Sequence, residues 1–134
     1  MIIDIKELLG KIQSLIQSTS SPLLEPLKRA KILAEAPLQE PKAMVLQCSI
    51  LPPTVESEVS KIAILRCQLS AEGSKVSDSQ LFLLLEGFAE LLCDGNTDLW
   101  TEVYSITEAG GSPGMVDEKG RNIRVKDFYI RYMI

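Results

Sequence analysis

The chain has 134 residues, is 46% apolar and 24% charged, carries a formal net charge of −4 and contains no histidine. That length suits one domain able to bury roughly two-thirds of the surface its unfolded form exposes, and no apolar run approaches the ~20 residues of a membrane-spanning helix. The acidic balance, with no basic cluster beyond "LKRAK" at 27–31, argues against a groove that tracks nucleic-acid phosphates.

From the N-terminus, Ile2, Ile5, Leu8, Leu9, Ile12, Leu15 and Ile16 recur at helical spacing, with Asp4 and Glu7 placed to cap the first turn, and predict an amphipathic helix. The segment reads as mature structure, since a targeting peptide would show a basic start and an uninterrupted apolar stretch. "QSTSSP" ends the helix through side chains that compete for backbone hydrogen bonds and a proline that forbids them. Pro22, Pro26, Pro37 and Pro41 then break the next segment, where "RAKILAEA" reads as a short strand. "AMVLQCSIL", 43–51, lies between Pro41 and the Pro52–Pro53 pair, a length that favours a strand.

"PPTVES" serves as a hairpin connection into "EVSKIAILRCQLS", 58–70, whose centre is apolar on both sides and which is therefore expected to be covered on both faces. Ser77 with Gln80 forms a capping-box pattern before "LFLLLEGFAELLC". Leu81, Leu84, Leu85, Phe88, Leu91 and Leu92 make its inner face, Phe82 and Leu83 widen that face, and Glu86 and Glu90 mark the solvent side. Gly95 supplies the stop.

"DLWTEVYSIT" and "RNIRVKDFYIRYMI" are strands by their aromatic and β-branched content. In the second, Ile123 and Val125 share one parity and Phe128, Ile130, Tyr132 and Ile134 the other. The switch near Lys126 and Asp127 predicts a bulge or a change of burial partner. The sum is an α+β fold, one domain over 1–134, with a mostly antiparallel sheet of four to five strands, an N-terminal helix and one long helix packed on the sheet.

Catalytic chemistry finds little footing. The commonest general base is absent, and Cys48, Cys67 and Cys93 form no CxxC or Cys/His spacing. The expectation is buried thiols in a reducing setting, with no metal and no cofactor. The acid pairs Asp94 with Asp98 and Asp117 with Glu118 read as solvated loop carboxylates. "GGSPG", 110–114, precedes a strand rather than a helix, so it is a connection rather than a phosphate cradle. The chain is therefore expected to act by binding, not as an enzyme. Loop 109–121, with Gly120 at its tip, is long for a simple reversal. The rings of Trp100, Tyr104, Phe128, Tyr129 and Tyr132 either finish the core or make a subunit contact.

The order of parts, carried by "IDIKELLGKIQSLI", "KIAILRCQLS", "SDSQLFLLLEGFAELL" and "LWTEVYSIT…NIRVKDFYIRYMI", resembles the tail terminator, or tail completion, proteins of tailed bacteriophages and related contractile particles. The resemblance is one of pattern and length over most of the chain, without a signature motif. It implies a homo-oligomer, a six-membered ring at the head-proximal end of the tail tube in the virion. Such a ring ends tube polymerisation and meets the tail tube protein on one side and a neck or head connector protein on the other, with DNA only as passing cargo. It makes loop 109–121 an arm, with Gly111, Pro113, Met115, Asp117, Lys119 and Arg121, together with Phe128, Tyr129 and Tyr132 of the last strand, as the subunit or tube interface. The alternative partner class is that of acidic secretion-type chaperones, which hold an unfolded segment on apolar grooves, here Phe82, Leu83 and the last strands.

Overall fold

The computed structural model describes residues 4–34, 43–93 and 103–133. Helix α1 spans Ile5–Ser18 and begins where the Asp4 carboxylate accepts the Lys6 amide hydrogen at 2.9 Å, satisfying one of the free N–H groups of its first turn. Leu8, Ile12 and Ile16 are fully buried, and Ile5, Leu9 and Leu15 pack partly against the same core; Ile2 lies outside the described residues. A 3-10 turn at Pro22–Leu24 and the short helix α2, Glu25–Lys28, follow. Pro22 is the first residue of the turn and Pro26 the second of α2, in the first turn where a missing N–H costs nothing. The short strand expected in "RAKILAEA" is β1, Lys31–Leu33, while Pro37 and Pro41 lie outside the described residues.

Strand β2 runs from Val45 to Val55, straight through Pro52–Pro53. The proline pair was expected to end the strand, but it falls at a register shift between Leu51 and Thr54, beyond the reach of β1, which pairs only with Val45–Gln47. An edge position at a bulge is where proline removes no ladder hydrogen bond. The hairpin connection is consequently at 56–59 rather than 52–57, closed by Glu56 and Ser57 amides donating to the Ser60 carbonyl at 3.0 and 3.2 Å.

Strand β3, Ser60–Glu72, alternates cleanly: Ala63, Leu65, Cys67, Leu69 and Ala71 are buried, whereas Ile62, Ile64 and Gln68 are half-buried and Arg66 is exposed. Helix α1 and the long helix α3, Asp78–Cys93, contribute to one core with the inward side of the strands, and among the described residues no helix covers the other side, against the expectation that both faces are covered. Helix α3 opens on the foreseen capping box, with the Gln80 amide donating to Ser77 Oγ at 3.2 Å and the Ser77 amide to Gln80 Oε1 at 2.8 Å. Phe82 and Leu83 stand exposed on its outer side. Gly95 lies outside the described residues.

Strands β4, Val103–Gly111, β5, Met115–Val116, and β6, Arg121–Met133, complete a six-stranded sheet of order β1-β2-β3-β6-β4, with β5 also on β6. The β1–β2 pairing is parallel and the rest are antiparallel. The sheet thus exceeds the expected strand number by the two-residue β5 inside loop 109–121. β6 pairs with β3 residue for residue from Arg121 to Met133 without a shift, so of the bulge or change of burial partner expected near Lys126 and Asp127 it is the second that occurs. The register shift between Glu108 and Gly110 is on the facing strand β4. The apolar parity changes because Arg124 and Lys126 take inward positions near the start of α3, while Ile123 and Val125 turn to the bare face.

Beyond β3 the chain passes close under the β5–β6 turn. The Gly73 amide donates to the Gly120 carbonyl at 3.0 Å, and a Cβ on Gly73 would sit 2.6 Å from that oxygen. Backbone cannot swing aside as a side-chain tip can, so Gly73→Ala is expected to cost about 1–3 kcal/mol, read as a lower melting temperature. An unchanged melting temperature would show that the turn is free to move.

Candidate assembly surfaces

The bare face of the sheet is built from the outward residues of β3 and β6. Ile62, Ile64, Arg66 and Gln68 stand opposite Arg131, Tyr129, Asp127 and Val125. At its centre the Arg66 guanidinium donates twice to the Asp127 carboxylate, both at 2.9 Å. Toward one edge Arg131 lies 5.4 Å from the Tyr129 ring centroid, donates to Thr107 Oγ1 at 3.0 Å and approaches Glu56 at 3.5 Å. Exposed pairs of this kind add little stability. They do hold the long side chains flat, so that the face presents apolar stretches between neutralised charges.

Each end of the sheet exposes apolar side chains among charged ones. At one, the β2–β3 hairpin carries Val55, 69% exposed, and Val59, beside Met133 at the end of β6 and Tyr104 on β4. The Tyr104 hydroxyl reaches Glu56 at 3.3 Å. At the other, β5 displays Met115 and Val116, the latter 68% exposed. The thirteen residues of β3 separate these ends by roughly 43 Å at about 3.3 Å per residue.

The loop expected to reach outward is largely folded onto the sheet. Residues 109–111 belong to β4, the Ser112 amide donates to the Val125 carbonyl at 3.0 Å, and Met115 and Val116 pair with Ile123 and Asn122. Asp117 makes the turn: its carboxylate accepts the amides of Lys119 at 2.9 Å and Arg121 at 2.8 Å, and Gly120 takes the positive φ of 79° that lets the chain reverse. Arg121 is buried, its guanidinium donating to the Ala43 carbonyl at 3.3 Å and Ser70 Oγ at 3.2 Å. Asp117 and Arg121 therefore shape the hairpin, while Gly111, Pro113, Met115 and Lys119 are exposed on it. On the last strand the three aromatic candidates part company. Phe128 and Tyr132 point inward and are fully buried, with Phe128 edge-on to Phe88 at 6.1 Å, so neither ring is on a surface. Tyr129 lies half-buried on the bare face. Tyr104 is exposed, and Trp100 lies outside the described residues, as do Asp94 and Asp98.

Along the first half of α3, a polar seam ties it to β4 and β6. Arg124 donates twice to the Asp78 carboxylate, at 2.9 and 2.7 Å, and its guanidinium lies 5.1 Å from the Phe82 centroid. Gly114 packs so tightly there that a Cβ would sit 2.1 Å from Asp78 Oδ1. Lys126, almost covered, bridges Glu86 and Glu108, the latter at 2.7 Å. Burial pulls its pKa down, but hydrogen bonds to the two glutamates outweigh that and hold it above the ordinary lysine value. A cleft of about 340 Å³ lies beside the seam between Phe82, Leu85, Gly111, Pro113, Arg124 and Lys126. Its Ser112 Oγ is, among the described residues, the one buried side-chain polar atom without a hydrogen-bond partner. Nothing local in the sequence announced this seam, since its partners stand 46 and 40 positions apart.

The hydrogen bonds from Arg124 hold the Asp78 carboxyl below its ordinary value of 3.8, against a smaller opposing effect of burial. A depressed folded-state pKa adds stability that is present above 3.8 and is lost as pH falls through and below it. The melting temperature of the native chain is thus expected to fall more steeply below about pH 4 than that of Asp78→Asn. Parallel acid limbs in thermal scans would remove the pair from the acid response.

Among the described residues no helix is long and apolar enough to cross a membrane, and no group of three or more His, Cys, Asp or Glu is placed to hold a metal ion. No protein-family model and no curated protein matches the chain. Its fold is similar to that of a chain in a solved structure described as the virion of a native gene transfer agent (GTA) particle, with a TM-score of 0.66 over 95% of each chain at 11% sequence identity.

Proposed function

We propose that the chain is a structural subunit of a virion-type particle, and within it a tail terminator that closes a homo-oligomeric ring of about six at the head-proximal end of a tail tube. In this reading it ends tube polymerisation, contacts tube protein on one side and the neck or head connector on the other, and acts by binding rather than by catalysis. The observation that carries the reading is the end-to-end fold likeness to a chain of a virion particle, at 95% coverage of both. The surfaces agree with it. A head-to-tail closed ring needs two different complementary patches on each subunit. The chain has the Val55–Val59 hairpin end and the Met115–Val116 hairpin end at opposite poles of the sheet, with a bare, charge-neutralised face between them. An acidic chain also suits a channel through which DNA slides without sticking.

The test is mass in solution by light scattering across concentration, with negative-stain images of the protein alone and mixed with polymerising tube protein. Rings, or tubes capped and halted at one end, are the expected result. A concentration-independent dimer that neither caps nor shortens tubes would sink the terminator role and favour a chaperone-like holder of a partner segment.

A further inference from the structure

Cys48 on β2 and Cys67 on β3 are directly opposed in the antiparallel register, both wholly buried, with their sulfur atoms 3.8 Å apart. Opposed residues of an antiparallel pair have Cα atoms about 4.5–5.5 Å apart, inside the range of about 4.4–6.8 Å that a disulfide spans. Both side chains sit on the same inward face, between Leu46 and Ile50 on one strand and Leu65 and Leu69 on the other. Closing the remaining gap takes rotation of two side chains and no change of strand register. We propose that Cys48 and Cys67 are an oxidation site that forms a cross-strand disulfide by exchange with a small-molecule disulfide of the glutathione class.

The exchange runs in two steps. The thiolate of one cysteine attacks the small disulfide, forming a mixed disulfide and expelling one thiolate, which takes up a proton. The second cysteine then attacks the protein-bound sulfur, forming the Cys48–Cys67 bond and expelling the other small thiolate. Two protein thiols lose two electrons and two protons, and one small disulfide becomes two thiols. Within the folded core the step is slow, because the hydrogen bond shared with Cys48 and burial both push the Cys67 thiol well above its ordinary value and keep it protonated. The bond therefore forms as the hairpin closes during folding, or in transient openings. It staples β2 to β3 across the segment that holds the Pro52–Pro53 bulge and the exposed Val55–Val59 end. Cys93 has no such partner strand: it ends α3 and lines a cleft beside Ile106–Glu108 of β4, across β6 from β3.

Refolding the reduced full-length chain in glutathione mixtures of rising oxidised fraction, followed by acid unfolding and maleimide labelling, reads the outcome by mass. Two of the three thiols should be lost to labelling in the native chain, and a linked peptide pair should join Cys48 to Cys67. The link should persist in Cys93→Ser and vanish in both Cys48→Ser and Cys67→Ser. Three labelled thiols in native chain from the most oxidised mixture, or a link through Cys93, would overturn the proposal.

Discussion

Phe128→Ala should lower the unfolding free energy by about 3–5 kcal/mol, the cost typical of removing a buried ring. The ring has no exposed surface, stands opposite Leu65 on β3 and meets Phe88 of α3 edge-on at 6.1 Å, so truncation opens a cavity where the sheet and the long helix are joined. Against a total stability of about 5–15 kcal/mol for a domain, the loss is visible as a large drop in the denaturant midpoint with an unchanged slope. The experiment also separates two roles for an aromatic residue on the last strand. An interface ring would leave the midpoint in place and weaken only association, which is the expectation for Tyr129→Ala on the bare face. A Phe128→Ala chain of native stability would mean that β6 does not pack beneath α3 as described.

The double substitution Met115→Asp with Val116→Asp should do the opposite, leaving the melting temperature close to native and abolishing ring formation or tube capping. Both residues are at least half exposed, and the hydrogen bonds of β5 to β6 come from the backbone, so the fold loses little. An interface is affected far more. Two carboxylates would be desolvated without partners beside Asp117 and Glu118, and each unpaired buried charge costs several kcal/mol. Since about 1.4 kcal/mol is a factor of ten in affinity, association should weaken by at least a hundredfold. Light scattering and tube-capping assays on the variant check this. Rings that assemble with native concentration dependence would remove the β5 end from the interface and leave the bare face and the Val55–Val59 end to account for assembly.

The elements that the chain announced are those set by nearby residues. Helix α1 follows from Leu8, Ile12 and Ile16 on one stripe and Asp4 at its cap, and helix α3 from the reciprocal Ser77 and Gln80 bonds. The turn at 117–120 was marked by Gly120, which takes the positive φ, whereas Asp117, expected as a solvated carboxylate, accepts the amides of Lys119 and Arg121. Such features rest on spacings of a few residues, where side-chain and backbone chemistry act without a partner strand. Period-two alternation likewise marked β3 and β6, but alternation says only that a strand has two faces, not which face a helix will cover. That was decided when α1 and α3 came to the same side. It buried Phe128 and Tyr132, left Tyr129 out, and drew Arg124 and Lys126 inward to acids on α3 and β4. It also set Cys48 against Cys67 and laid the loop at 109–121 along β6. These pairings join residues far apart in the chain, and only the packed sheet brings them within reach. A proline pair that looked like a strand stop passes inside β2 for the same reason, since only the finished sheet shows that, among the described residues, no strand pairs with its outer edge there.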